Sequence, residues 1–175
     1  MNGDGVVQAP EAQELFDALK AGGVDFAVYL PDSVLCDVAA LLDADRQTQT
    51  VICSREDEGV AIAVGAYLGG KLPAVLMEGS GIGYCGLILA RALLQRTPCL
   101  LLVSHNRVLG ERFDYHGATR IVGEGVIGGL GIPYFVIHES RLIRPSVRGA
   151  LETVQGQKTP ICLFIPSHVL HGERQ

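Results

Sequence analysis

Apolar positions along the chain fall into two alternating patterns. Short runs that are apolar at nearly every position suit strands buried on both faces of a sheet. Between them lie longer segments with apolar residues at the i, i+3, i+4 and i+7 spacing of a helix, as over residues 12–19. The predicted strands are 26–30, 50–53, 74–77, 98–103, 133–137 and 160–165. This alternation predicts a single α/β domain over residues 1–175, in three layers, with a parallel sheet of about six strands and helices on both faces.

Three parts of the chain are expected to be less regular. Residues 104–132 contain several glycines, which predict at most a weak helix there. Residues 1–9 and 168–175 are expected to be frayed.

Composition narrows the class of protein. Hydrophobic residues make up 48% and charged residues 19%, which argues against a disordered chain. The net charge of −5, without a basic block, argues against nucleic acid as a partner. No apolar run is long enough for a membrane span and no signal peptide is recognisable, so no membrane partner is expected. The five scattered cysteines suit reduced thiols of a cytoplasmic protein, and no metal site is predicted.

Acidic residues cluster where the helix after the second predicted strand begins. Glu56, Asp57 and Glu58 follow Ser54, and Ser54 with Asp57 resembles a capping box. Beyond its first turn this helix has no polar face, so we expect it to be buried on most sides. A carboxylate at the start of such a helix can act in a dry pocket. Three acids also suit a helix N-terminus through the dipole alone, and the residues leave both interpretations open.

Polar residues follow four predicted strands, at the sheet edge where parallel α/β folds bind ligands. These loops are 31–33, 54–56, 78–83 and 104–107. Asp32 and Ser33 are candidate ligand-binding residues, but they are also good helix N-caps. His105 equally suits a strand end, and Arg107 and Arg112 equally suit ordinary surface charge.

The glycine loop has an alternative interpretation. Residues 81–86 fit the G-x-G-x-x-G pattern of a dinucleotide-binding turn, between a strand and a helix. However, this is not the first strand–helix unit of the chain. No acid ends a strand about twenty residues further on. A non-catalytic, Rossmann-like dinucleotide-binding domain stays open as an alternative.

Four segments together resemble a known family. They are residues 30–35 (Leu-Pro-Asp-Ser-Val-Leu), 55–68, 77–83 and Ser104-His105. They resemble the pyrimidine-binding domain of thiamine-diphosphate decarboxylases, above all sulfopyruvate decarboxylase alpha subunits and phosphonopyruvate decarboxylases. The resemblance covers residues 12–167. Where that family usually has Gln-Asn before Ser-Gly, this chain has Glu78-Gly79, which puts an acid beside a site for an anionic substrate.

The resemblance implies roles for individual residues. The family's catalytic glutamate lies nine residues before the glycine that corresponds to Gly65, which selects Glu56 rather than Glu58. In the family it hydrogen-bonds a ring nitrogen of the cofactor's aminopyrimidine and so activates the thiazolium carbon. The residues implied to bind thiamine diphosphate are Glu56, Gly79, Ser80, Gly81 and Gly83. The residues assigned to the anionic 2-oxo acid are Asp32, Ser33, His105, Arg107 and Arg112.

The other half of the family's cofactor site is not recognisable. The family holds the diphosphate through Mg²⁺ with Gly-Asp-Gly at a strand end and a downstream asparagine. Residues 3–5 are Gly-Asp-Gly but follow no predicted strand, and neither Asn2 nor Asn106 has the required position. We therefore expect the pyrimidine-binding subunit of a two-subunit carboxy-lyase, inactive without a diphosphate-binding partner that holds Mg²⁺. Another thiamine-diphosphate decarboxylase or carboligase, or a homologue that has lost its cofactor, stays open.

A shared site also predicts an exposed apolar surface. Because the cofactor must be reached from both subunits, the loop edge is expected to lie in an interface. Ile82, Tyr84, Ile121 and Val126 are expected to form it, and the isolated chain is expected to form a homodimer through the same face.

Overall fold

The computed structural model describes residues 9–106 and 117–172, and it contains the predicted sheet. Six strands, all parallel, lie in the order β2-β1-β3-β4-β6-β5. The strands are β1 (Phe26–Tyr29), β2 (Gln49–Ile52), β3 (Pro73–Glu78), β4 (Leu100–His105), β5 (Tyr134–Val136) and β6 (Ile161–Pro166). Each lies within two residues of its predicted bounds, so the predicted parallel sheet is confirmed.

Helices cover both faces of the sheet, as a three-layer α/β fold requires. One core packs between the sheet and the helices α1 (Pro10–Ala21), α2 (Cys36–Ala44), α6 (Ile143–Gln157) and α7 (Ser167–His171). The opposite core packs against α3 (Glu56–Leu68), a 3-10 helix (Gly79–Tyr84), α4 (Gly86–Gln95) and α5 (Gly117–Gly129). Successive strand residues alternate between the two cores: Ala27 belongs to the first and Val28 to the second.

Helix α5 lies in the span for which the glycines predicted at most a weak helix. Residues 117–129 form a helix there, and its weakness stays a prediction. A Cβ at Gly123 would lie 3.3 Å from the carbonyl oxygen of Gly79 and 3.4 Å from the Phe164 ring. The missing side chain therefore lets α5 pack closely on the 3-10 helix.

The ends of two other helices also differ from expectation. Instead of a frayed tail from residue 168, the chain forms α7, which buries Val169 and Leu170. At the start of α3 the capping-box interpretation is wrong, because the Ser54 side chain makes no cap. Its backbone N–H donates to Glu58 Oε2 at 2.7 Å instead.

Helix α3 is not buried on most sides in this single chain. Ala61, Gly65 and Leu68 form an exposed stripe at the spacing of one helix face. Leu68 is 71% exposed. The helix therefore presents an apolar face that no described part of the chain covers.

Candidate active site

The carboxyl ends of β1, β3 and β4 lie side by side at one edge of the sheet, because these strands are neighbours and run parallel. Asp32 follows β1, Glu78 is the last residue of β3, and Ser104 and His105 end β4. Helix α3 begins near the same edge with Glu56, and the 3-10 helix leaves β3 toward it. The topology therefore brings together residues of all four loops that the sequence marked.

Glu56 lies directly against the glycine segment. A Cβ added at Gly81 would be 2.2 Å from Glu56 Cγ and 2.4 Å from both Cδ and Oε1. The Glu56 side chain is half-buried. Within residues 9–106 and 117–172, no group donates a hydrogen bond to its carboxylate. A ligand that reaches this edge can therefore use the carboxylate as an acceptor or as a proton carrier.

The neighbouring acids of α3 are already engaged. Glu58 turns back and accepts the Ser54 N–H. Asp57 accepts two hydrogen bonds from the guanidinium of Arg55, at 3.0 and 3.2 Å. Of the three acids, the one that faces the glycine segment is Glu56, which is the residue selected by the spacing to Gly65.

The glycines of the 3-10 helix are needed for close approach. Gly79, Gly81 and Gly83 all lie outside the positive-φ region, so backbone strain does not explain them. A Cβ at Gly79 would lie 2.2 Å from Thr119 Cγ2 and 2.7 Å from the Ser104 carbonyl oxygen. At Gly83 it would meet the Val122 side chain at an ordinary 3.5 Å. The tight positions are thus Gly79 and Gly81.

The thiol of Cys85 helps to fix the same segment. Cys85 Sγ lies 3.4 Å from the carbonyl oxygen of Gly81, to which it donates. Burial, with a smaller contribution from the Glu56 charge, raises the Cys85 pKa to about 12. The thiol therefore keeps its proton, and remains a donor, throughout the physiological pH range.

Asp32 is engaged within the chain. Its Oδ1 accepts the backbone N–H groups of Val34 and Leu35 at 2.9 and 3.0 Å, which caps the turn into α2. Its Oδ2 accepts the Ser104 hydroxyl at 3.0 Å, which ties the ends of β1 and β4 together. Ser33 is exposed. Asp32 therefore closes the turn before α2 and is not the N-cap of that helix, which is Leu35. The assignment of Asp32 and Ser33 to the substrate stays a prediction.

His105 points into the protein. The residue is 4% exposed, and its Nε2 lies 3.3 Å from Glu124 Oε1 on α5. Its ring centroid lies 5.2 Å from that of Phe164. Arg107 and Arg112 lie outside the described residues. The substrate role of these three cationic candidates stays a prediction.

Several residues of the site were missed at the level of sequence. Thr119 donates to Glu78 Oε1 at 2.6 Å. The Arg55 guanidinium lies 5.2 Å from the centroid of the Tyr84 ring, close enough for a cation–π contact. The only signal for Arg55 was its position next to Glu56. Nothing in the local sequence marked Thr119, since its role depends on the distant Gly79.

A groove of about 550 Å³ lies on the outer side of α3. It is lined by Ser54, Arg55, Asp57, Glu58, Ala61 and Ile88. Glu56 is not among the lining residues, but Ser54 and Arg55 of the same loop are, so the groove adjoins the edge described above. Among the described residues, no helix has the length and apolar character of a membrane span. The same part of the chain contains no cluster of three or more side chains suited to a metal ion.

Comparison with known proteins shows which family the sequence matches. The family model described as "Thiamine pyrophosphate enzyme, N-terminal TPP binding domain" matches residues 11–120. The sulfopyruvate decarboxylase subunit alpha of Methanothermobacter thermautotrophicus is 35% identical over 106 residues, which cover 60% of this chain and 64% of that protein. The subunit of the same name from Methanococcus maripaludis is 30% identical over 125 residues, covering 71% and 75%. The match to the first of these relatives thus spans less than two thirds of its length.

A solved structure supports the fold. The 2-oxoglutarate:ferredoxin oxidoreductase from Magnetococcus marinus matches with a TM-score of 0.70 at 16% identity. The match covers 91% of this chain and 29% of the other. At this identity the likeness concerns the fold alone, and it confirms the predicted three-layer arrangement.

Proposed function

Because the chain belongs to the thiamine pyrophosphate enzymes, as a member of the family with this N-terminal TPP-binding domain, we propose that it is the pyrimidine-binding subunit of a two-subunit 2-oxo acid decarboxylase. The substrate proposed first is sulfopyruvate, with phosphonopyruvate as the alternative of similar shape and charge. The observation that carries this proposal is the contact of Glu56 with Gly81. Of the three acids in the first turn of α3, Glu56 alone receives no hydrogen bond from the described residues, and it lies beside the glycine segment.

The residues present fit the pyrimidine half of thiamine diphosphate. Glu56 is half-exposed, so its carboxylate can accept from or share a proton with a ring nitrogen. Gly79 and Gly81 keep side chains out of the space between the 3-10 helix and its neighbours. Ser80 and Gly83 complete the proposed cofactor-binding set. When bound, the cofactor supplies an electron sink for the carbon dioxide-releasing step.

The task of Glu56 is to hold and move one proton. A carboxyl group fixed at the start of α3 can hydrogen-bond a ring nitrogen of the aminopyrimidine in a defined direction. The Gly81 backbone on its other side limits the directions in which the side chain can turn. The chain's own contribution to catalysis is therefore orientation and protonation of the pyrimidine.

The dinucleotide alternative is less well supported. In a dinucleotide-binding turn the backbone near the second glycine must approach a pyrophosphate. Here the Glu56 carboxylate lies against Gly81, the first glycine of that pattern. A negative charge at this point would repel a diphosphate.

A partner subunit is proposed because a broad apolar surface is exposed. Helices α3 and α4 pack side by side, and each presents apolar residues outward. On α4, Leu87 and Leu94 are 69% and 87% exposed, and Leu68 of α3 is 71% exposed. Tyr84, just before α4, is 66% exposed. Large exposed patches of this kind usually mark protein–protein contacts.

The expected interface residues divide into two groups. Tyr84 and Ile121 are exposed, the latter by 76%. Val126 is half-buried, and Ile82 is fully buried, so the expectation for Ile82 was wrong. The 3-10 turn rotates Ile82 into the core and Tyr84 outward.

We propose that the diphosphate-binding subunit, with its Mg²⁺, covers the exposed surface that includes Tyr84 and Ile121. We also propose that a homodimer forms through the same surface when that partner is absent.

Hydrogen exchange tests the partner proposal. We expect Tyr84, Leu87 and residues 117–131 to gain protection when the diphosphate-binding subunit is added to the chain. The core strand β4 serves as the internal control, since it is buried in both states. Equal protection of both segments with and without the partner would contradict a shared site.

Substrate selection is proposed to depend on cations near this edge. Arg107 and Arg112 are the proposed candidates, since a guanidinium can bind sulfonate or phosphonate through two donors. Their replacement by Ala should raise KM for sulfopyruvate more than for pyruvate. Equal effects on the two substrates would assign anion recognition to the partner.

The scattered free thiols support a cytoplasmic enzyme.

The decisive experiment compares two glutamine variants in the assembled enzyme. Glu56→Gln should abolish turnover, because an amide fills the same space but cannot share the proton. Glu58→Gln is the matched control on the same helix turn, because its amide oxygen can still accept the Ser54 N–H. Loss of activity in Glu58→Gln with nearly full activity in Glu56→Gln would overturn the assignment. Thermal unfolding of both variants checks that the fold is intact.

A further inference from the structure

The carboxylate of Glu78 is held by donors of its own chain. Oε2 accepts the backbone N–H of Ser80 at 3.1 Å and also the Ser80 hydroxyl. Oε1 accepts the Thr119 hydroxyl at 2.6 Å and, more weakly, the Asn106 side-chain amide at 3.5 Å. Glu78 therefore joins three elements: the end of β3, the 3-10 helix and the first turn of α5. The carboxylate of Glu78 is thus turned onto its own chain.

Gly79 makes this arrangement possible. The Thr119 side chain is 1% exposed, and its methyl group occupies the space that a Cβ at Gly79 would take, 2.2 Å away. Any larger residue at 79 would displace Thr119 and its hydroxyl from Glu78. The acid at 78, the glycine at 79 and the threonine at 119 therefore depend on one another.

The same link acts on the position of Gly81. Ser80, whose N–H and hydroxyl Glu78 holds, is the residue directly before Gly81, and Gly81 packs on Glu56. Losing the Thr119 donor would release α5 from the end of β3 and allow the 3-10 helix to shift. We propose that Glu78 and Thr119 are positioning residues that fix Gly81 against Glu56, and that Glu78 takes no part in binding the substrate. The catalytic consequence rests on the proposed function; the positioning itself does not.

Hydrogen exchange on the full chain tests the positioning. Thr119→Val keeps the shape of the side chain and removes the donor. Amides of residues 79–84 and 119–123 should then exchange roughly ten- to a hundredfold faster, the equivalent of one hydrogen bond to a charged group. Thr119→Ser keeps the donor and should restore most of the protection. Thr153→Val is the matched control, because Thr153 bonds within α6, on the opposite face of the sheet.

Kinetics of the assembled enzyme test the consequence. Thr119→Val and Glu78→Gln should lower kcat by about tenfold or more with little change in KM for the 2-oxo acid, and Thr119→Ser should recover kcat. If Glu78 instead faces the substrate, Glu78→Gln will lower KM for sulfopyruvate and leave exchange unchanged. Unchanged exchange in Thr119→Val overturns the positioning role. Full activity in Glu56→Gln overturns the proposed function alone, since the exchange result does not depend on it.

Discussion

Gly81→Ala separates the position of Glu56 from the stability of the fold. The added Cβ would lie 2.2 Å from Glu56 Cγ, and ordinary contact begins near 3.4 Å, so the side chain must withdraw by about 1.2 Å. All three of the nearest atoms belong to the outer part of Glu56, which is half-buried and can rotate toward solvent. The fold should therefore lose less than about 1 kcal/mol.

Activity should respond far more strongly than stability. A misplacement of about 1 Å in a catalytic group can reduce the rate about a hundredfold, or about 2.7 kcal/mol in the activation barrier. We expect this loss in kcat/KM of the assembled enzyme, with a nearly unchanged midpoint of thermal unfolding. Gly156→Ala in α6 is the control, because a Cβ there meets no atom within 4 Å. Near-normal activity in Gly81→Ala would refute the idea that this contact sets the position of a catalytic Glu56.

Three further outcomes are expected. Gly79→Ala should destabilise the fold by about 1–3 kcal/mol in denaturant unfolding, because its Cβ would meet a backbone oxygen of Ser104 at 2.7 Å, and an unchanged midpoint would contradict this. The pKa of Tyr29 is raised to about 12 by burial and by its hydrogen bond to Asp43. The pKa of Tyr29 in the folded state thus exceeds the unfolded value of 10.0. The stability that the protonated Tyr29 contributes is therefore complete below pH 10 and is lost as pH rises toward 12. Ultraviolet titration of tyrosinate, with and without Asp43→Asn, will check this. Native alkylation at pH 8 followed by mass spectrometry should modify Cys36, the exposed thiol, well before the four buried thiols.

The sheet could be predicted because burial on both faces leaves a direct mark on sequence. A strand covered by helices on both sides must be apolar at successive positions, as in 74–77, and such runs are short and bounded by polar residues. The choice of Glu56 came from the resemblance to thiamine-diphosphate decarboxylases, since the residues alone left the helix-dipole interpretation of the three acids open.

The features that were missed depend on contacts between distant segments. Gly123 of α5 packs closely on Gly79, 44 residues away, and glycine content alone gave no sign of this contact. His105 was expected in a loop, but β4 continues through it by pairing with Pro166. Its side chain then turns toward Phe164 and Glu124. The residues 104–107 alone predict neither the length of β4 nor its pairing with β6.

The hydrogen-bond donors of the described chain are unevenly distributed among the three carboxyl groups of this edge, which distinguishes Glu56 from Asp32 and Glu78. Asp32 accepts three hydrogen bonds and Glu78 accepts four, so each carboxylate has its lone pairs directed at groups of the chain. A carboxylate held in this way has a fixed orientation and little capacity for an additional ligand. Glu56 differs because its position is set by contact with Gly81, and among residues 9–106 and 117–172 no group donates a hydrogen bond to its oxygens. An anionic substrate, as proposed above, would meet three carboxyl groups at this edge. The proposal therefore requires compensating cations, for which Arg107, Arg112 and the proposed Mg²⁺-holding partner are the candidates.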